Sequence, residues 1–125
     1  MRRMVAGWIA GLALVALPCH AQNESYLSAR QVVAYLHGQD DGQRKIGEAT
    51  IIITWQAFLT TQAAMIARKT DKLYCPAADV QITDRQLAEG VETTITQNSQ
   101  LADMPVSMAM LVYLERQYPC APAGK

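Results

Sequence analysis

The sequence predicts an all-α fold: a small four-helix domain closed by one disulfide and preceded by a signal peptide. Three observations carry this. Apolar residues downstream of residue 27 recur every three to four positions, with hydroxyl-led start signals before them. The last two cysteines, Cys75 and Cys120, each lie beside a proline. The first 21 residues have the three-part layout of an export signal.

That layout begins with Arg2 and Arg3, continues as an unbroken apolar and small-residue run over 5–17, and ends at Pro18-Cys19-His20-Ala21. The run is about 13 residues, short of the ~20 that a spanning helix needs. Cleavage is expected near Ala21, giving a signal peptide over 1–21 and a domain over 22–125 placed in the periplasm. Pro18 before Cys19 is a poor fit to a lipid-attachment site, where a small residue is expected. Cleavage leaves nine basic and eleven acidic residues, a net charge of −2. This shows no electrostatic footprint for nucleic acid or for an anionic membrane surface. In an oxidising compartment the two remaining cysteines are read as a pair. Closing that loop restricts the unfolded chain by about 4 kcal/mol in the loop-entropy model.

The elements follow in order. Ser28-Ala29-Arg30-Gln31 has the form of a capping box, Val32, Val33, Tyr35 and Leu36 continue at helical spacing, and Gly38 is a stop. Residues 39–43 have turn composition and are expected to form a loop. A long helix is predicted from Ile46 to about Lys69, where Ile52, Trp55, Leu59 and Ile66 keep helical spacing. The β-branched run 50–54 would favour a strand alone, but it lies within the longer pattern. The wide apolar arc predicts a central helix buried on more than one side, with Trp55 and Phe58 as core anchors. Arg68, Lys69 and Lys72 then complement its dipole.

Cys75-Pro76 breaks this helix, and residues 77–81 connect it to a second capping box, Thr83-Asp84-Arg85-Gln86. Leu87, Val91, Thr94 and Ile95 predict a third helix to about Asn98. Asp103-Met104-Pro105 starts the fourth, with Asp103 as cap, and Pro119 stops it beside Cys120. The bridge is expected to hold the last two helices as an antiparallel pair against the long one. The tail 121–125 is expected to be loose.

The residues argue against catalysis. After cleavage one histidine, His37, remains, and no cysteine is left once the bridge forms, so a Ser-His-Asp or Cys-His site lacks its parts. His37 reads as a helix-end residue favouring the dipole. There is no HxxxH or CxxC, so no metal site and no cofactor are expected. Asp40-Asp41-Gly42 lacks the alternate oxygens and distant Glu of a calcium loop. Glu89 and Glu92 share a helix face at a glycosidase-like pairing, but a solvated face explains them. Met104, Met108 and Met110 read as core filler, with an adaptable contact surface as the alternative. What remains is binding, and the loop 38–44 with Asp40, Asp41 and Arg44 is the candidate partner-binding element.

The pattern Leu73-Tyr74-Cys75-Pro76, then Ile82-Thr83 with Gln86-Leu87, then 108–114 ending in Tyr118-Pro119-Cys120, resembles the Rap/Tai family. These are small periplasmic immunity proteins against peptidoglycan-cleaving amidases delivered by type VI secretion. Family members often carry a further cysteine in the first helix; residues 28–36 hold none. The resemblance covers roughly 27–120 and implies a non-catalytic protein that binds and inhibits a secreted toxin or cell-wall amidase effector, with a homodimer as an option. The rival reading is an acid-activated periplasmic chaperone of the HdeA type, which is also small, helical and stapled by one disulfide. Only 18% of the residues are charged, which suits that role less well.

Overall fold

The computed structural model describes residues 26–122; the predicted signal peptide over 1–21 and residues 123–125 of the tail lie outside the described residues. Four α-helices are present among them: α1 Ala29–His37, α2 Asp41–Ala67, α3 Asp84–Gln97 and α4 Val106–Gln117, with a 3-10 turn at Ser99–Asp103 before α4. The all-α expectation is met, and the Cys75–Cys120 disulfide is present. Both capping boxes form as the sequence indicates. Ser28 accepts from the Gln31 amide while the Gln31 side chain accepts from Ser28 N–H at 3.0 Å, and Thr83 and Gln86 repeat the arrangement at α3.

The core gathers at the crossing of α1, α3 and α4. Ala29 and Val32 of α1, Leu87 and Val91 of α3, and Val106, Ala109, Met110 and Leu114 of α4 are buried together with Ile51 and Tyr74. α3 and α4 pack as a pair, and α1 lies between them and α2. The close approaches rest on two glycines. At Gly47 a Cβ would stand 3.2 Å from both the Leu36 side chain and its backbone nitrogen, so α1 and α2 cross where α2 has no side chain. At Gly90 a Cβ would stand 2.6 Å from the Tyr113 ring, which lies against the bare backbone of α3.

Gly90→Ala is therefore expected to destabilise the fold, by up to roughly 2 kcal/mol. The ~1 kcal/mol gained in helix propensity is outweighed by the 1–3 kcal/mol usual for overpacking. Thermal unfolding of the variant checks this, and a raised melting temperature would contradict it.

Three expectations are corrected. The loop predicted over 38–44 is mostly helix: α2 starts at Asp41, because Asp40 accepts from the Gln43 amide at 2.7 Å and caps it. Asp and Gly suit a turn, but an Asp also suits an N-cap, and the local bond favours the helix. The long helix is not buried on more than one side; of its 27 residues only Gly47 and Ile51 are buried. It leans on α1 with its first half, and its second half stands at the surface. Finally, Asp103 does not cap α4. Pro105 is the N-cap without a side-chain bond, and Asp103 instead pairs with Arg30 at 3.1 Å across to α1.

The β-branched run is helical, as the longer pattern indicates, and its threonine hydroxyls bond back to the preceding turn. Thr50 donates to the Ile46 carbonyl and Thr54 to the Thr50 carbonyl, each at 2.7 Å. The same back-bonding recurs at Thr60 and Thr61.

Candidate functional site

Two places draw together the residues singled out in the sequence: a joint around the disulfide and the corner between α1 and α2. The joint is built from the connector that follows α2. Cys75 and Cys120 are bonded with their Cα atoms 4.8 Å apart, and Cys75 N–H donates to the Tyr118 carbonyl at 2.8 Å. The bridge thus ties the connector, eight residues past the end of α2, to the exit of α4.

Gln62 fixes the same connector from the other side. Its amide donates to the Tyr74 carbonyl at 2.6 Å, and its carbonyl oxygen accepts from Leu73 N–H at 3.1 Å. Between these anchors Tyr74 enters the core, 2% exposed, with its ring centroid 5.9 Å from that of Trp55. Its hydroxyl has no hydrogen-bond partner among the described residues, and burial pushes the phenol up from its ordinary value. Trp55 and Phe58 are half-buried and packed against the core, in keeping with the expectation of anchors. Segments 73–76 and 118–120 are thus one structural unit.

At the corner, Asp40 is engaged as the α2 cap and Asp41 forms an ion pair with Arg44 one turn on. All three side chains belong to exposed residues. Close by, His37 Nε2 lies 2.9 Å from Glu92 Oε2, linking the end of α1 to α3. His37 is thus more than a dipole partner: it is a lateral contact. Glu92 is taken up by His37 and Glu89 by Arg85 at 2.8 Å, so each carboxylate has its own partner. The sequence could not pair His37 with Glu92, because that contact depends on how α1 crosses α3.

Of the three methionines, Met110 is fully buried, while Met104 and Met108 are exposed at 42% and 40%. Core filler describes the first and not the others. No group of three or more His, Cys, Asp or Glu side chains is placed to hold a metal ion among the described residues.

Two grooves flank α2. One, of about 340 Å³, lies among Leu36, Ile51, Ile52 and Ala88, with Glu48 and Asp84 also on its walls. The other, of about 300 Å³, runs between the second half of α2 and the connector, with Leu59, Ile66, Val80 and Ile82 among its walls. Neither was visible in the sequence, since a helical period cannot say which apolar residues find a neighbour.

Comparison with known proteins finds no family model, no curated protein and no solved structure that matches this chain.

Proposed function

We propose that the protein is a periplasmic immunity protein that binds and inhibits a peptidoglycan amidase delivered by type VI secretion, without chemistry of its own. The observation that carries this reading is the joint of 73–76 and 118–120. The residues that resemble the Rap/Tai pattern are engaged with one another through the disulfide, the Cys75–Tyr118 hydrogen bond and the buried Tyr74. A staple of that kind presents a rigid helical surface, and a rigid surface binds with less ordering cost.

The contact surface in this reading includes the α1–α2 corner. Asp41 and Arg44 are exposed and neutralise each other, and Asp40 adds a further carboxylate at the head of α2. A partner's charged cleft can exchange the exposed pair for its own contacts, since surface pairs are worth little by themselves.

The test is capture from secreted and periplasmic extracts at neutral pH, followed by affinity measurement on variants of the corner. A single stoichiometric cell-wall amidase is the expected partner. Asp41→Ala and Arg44→Ala should each weaken it several-fold. Asp40→Asn keeps the cap while removing the charge, and so separates binding from helix stability. Unchanged affinity in all three variants would remove the corner from the interface. Capture of many proteins only after acidification would replace the immunity reading with the chaperone.

A further inference from the structure

The connector between α2 and α3 changes character at Cys75. Up to that residue its backbone is pinned: Arg68, Lys69 and Thr70 donate to carbonyls of the last turns of α2, Gln62 holds Leu73 and Tyr74, and Cys75 N–H donates to Tyr118. Beyond it, over 76–82, the backbone makes a single hydrogen bond among the described residues, from Val80 N–H to the Ala77 carbonyl at 3.0 Å. Residues 77–81 are all exposed and belong to no helix or strand, while Pro76 and Ile82 are half-buried at the two ends. Breaking one hydrogen bond therefore frees this stretch from the surface, and exposed chain with few bonds is where proteases cut.

The side chains decide which kind of protease fits. Ala77, Ala78 and Val80 are small and uncharged, the residues an elastase-type enzyme accepts before the cut bond. Arg68, Lys69 and Lys72, which a trypsin-type enzyme requires, lie in the pinned half. We propose that residues 77–81 are a processing site for an endoprotease that takes small aliphatic side chains, and that the Cys75–Cys120 bridge keeps the cut protein folded as two joined chains. Hydrolysis consumes one water, whose hydroxyl goes to the carbonyl carbon of the cut bond and whose proton goes to the released nitrogen. The disulfide is neither oxidised nor reduced.

The stretch lies inside the ring that the bridge closes, and this gives the cut its outcome. One piece keeps α1, α2 and Cys75, the other keeps α3, α4 and Cys120, and the disulfide still joins them. The core needs both: Val32, Ile51 and Tyr74 come from the first piece, and Leu87, Met110 and Leu114 from the second. Peptide chain and disulfide are the two links of one ring, so opening either frees the unfolded chain to a similar extent. The cut, oxidised protein should therefore melt close to the uncut, reduced protein. Opening both links lets the halves separate.

The inference is independent of the immunity proposal, because it involves neither the α1–α2 corner nor its partner. It is tested by dilute elastase on the purified protein with its disulfide closed, followed by mass spectrometry and by gels run with and without reductant. The first cut should fall after Ala77, Ala78 or Val80, at least ~10-fold faster than at any other bond within 26–122. One band without reductant, two bands with it and a retained helical circular dichroism spectrum are expected. Trypsin should cut after Lys69 or Lys72 more slowly, each rate taken relative to the same bond in the unfolded chain. Ala77→Asp, Ala78→Asp and Val80→Asp together should abolish the elastase cut and leave the spectrum unchanged. A first elastase cut elsewhere within 26–122 overturns the proposal. So does a cut protein that loses its helical spectrum while the bridge is closed, or a trypsin cut at Lys69 or Lys72 that is relatively as fast.

Discussion

Replacing Cys75 and Cys120 together by serine is expected to lower stability by about 2–4 kcal/mol, which in a domain of this size lowers the melting temperature by roughly 10–25 °C. The loop-entropy model gives about 4 kcal/mol for this separation. Local geometry adds a reason for the effect to be large. From Arg68 to Thr83 the chain has no helix or strand, and its anchors to the rest of the fold include the bridge, the Cys75–Tyr118 hydrogen bond and the Gln62 clamp. Losing the bridge loosens the first two together and exposes the path by which Tyr74 reaches the core. Thermal melts of the double variant and of the reduced wild type should coincide, well below the oxidised protein. A melting temperature within a few degrees of wild type would mean that Gln62 and the core hold the connector unaided.

The second large effect is at Tyr74, where two substitutions should act in opposite directions. Tyr74→Ala removes a fully buried ring between α2 and the connector, and about 3–5 kcal/mol of stability should go with it. Tyr74→Phe keeps the ring and deletes a buried hydroxyl that has no partner among the described residues. No hydrogen bond is lost there and a desolvation penalty is relieved, so a gain of about 1 kcal/mol is expected.

The same residue sets an alkaline limit. Burial raises the folded phenol above its ordinary value of about 10. As pH rises, the unfolded chain gives up this proton before the folded one does. The stability tied to the neutral phenol is therefore complete below about pH 10 and falls as pH climbs from there through the raised folded value. Tyr74→Phe should flatten this decline in chemical denaturation above pH 10. Tyr113, which burial and nearby charge also raise, leaves a residual slope. An identical pH dependence in wild type and variant would show that Tyr74 is not the group responsible.

Much of this fold was legible because its start signals are local. A capping box needs four consecutive residues, and Ser28–Gln31 and Thr83–Gln86 satisfy it within the chain itself. The errors arose where a local preference has two outlets. Asp40-Asp41-Gly42 suits a turn, but Asp40 also caps, and the few residues between Gly38 and α2 leave little room for a loop. Asp103 had the form of a cap, yet Arg30 on α1, remote in sequence, claims its carboxylate.

The end of α2 was placed near Lys69 by its apolar pattern, within two residues of its last residue, Ala67, but the residue that closes it was not visible. Lys69 takes the left-handed conformation at φ 57° where a glycine would announce a stop, and the Thr70 amide closes the last turn on the Met65 carbonyl. The wide apolar arc of α2 was visible, but periodicity reports which residues avoid water and not what covers them. Ile52, Leu59 and Ile66 of that arc stay 37–52% exposed, which separates α2 from a core helix. The joint at Cys75 and Cys120 was readable as a pair of cysteines, whereas the Gln62 clamp and the orphaned Tyr74 hydroxyl required the fold.

The central proposal is inhibition of a peptidoglycan amidase, and the direct measurement is the hydrolysis rate of the amidase captured as its partner, titrated with the oxidised protein at neutral pH. Immunity predicts loss of activity that is complete at a fixed stoichiometric ratio and unaffected by excess peptidoglycan-free protein. An amidase that keeps its full rate at saturating concentrations, with binding that appears only on acidification, would contradict the claim.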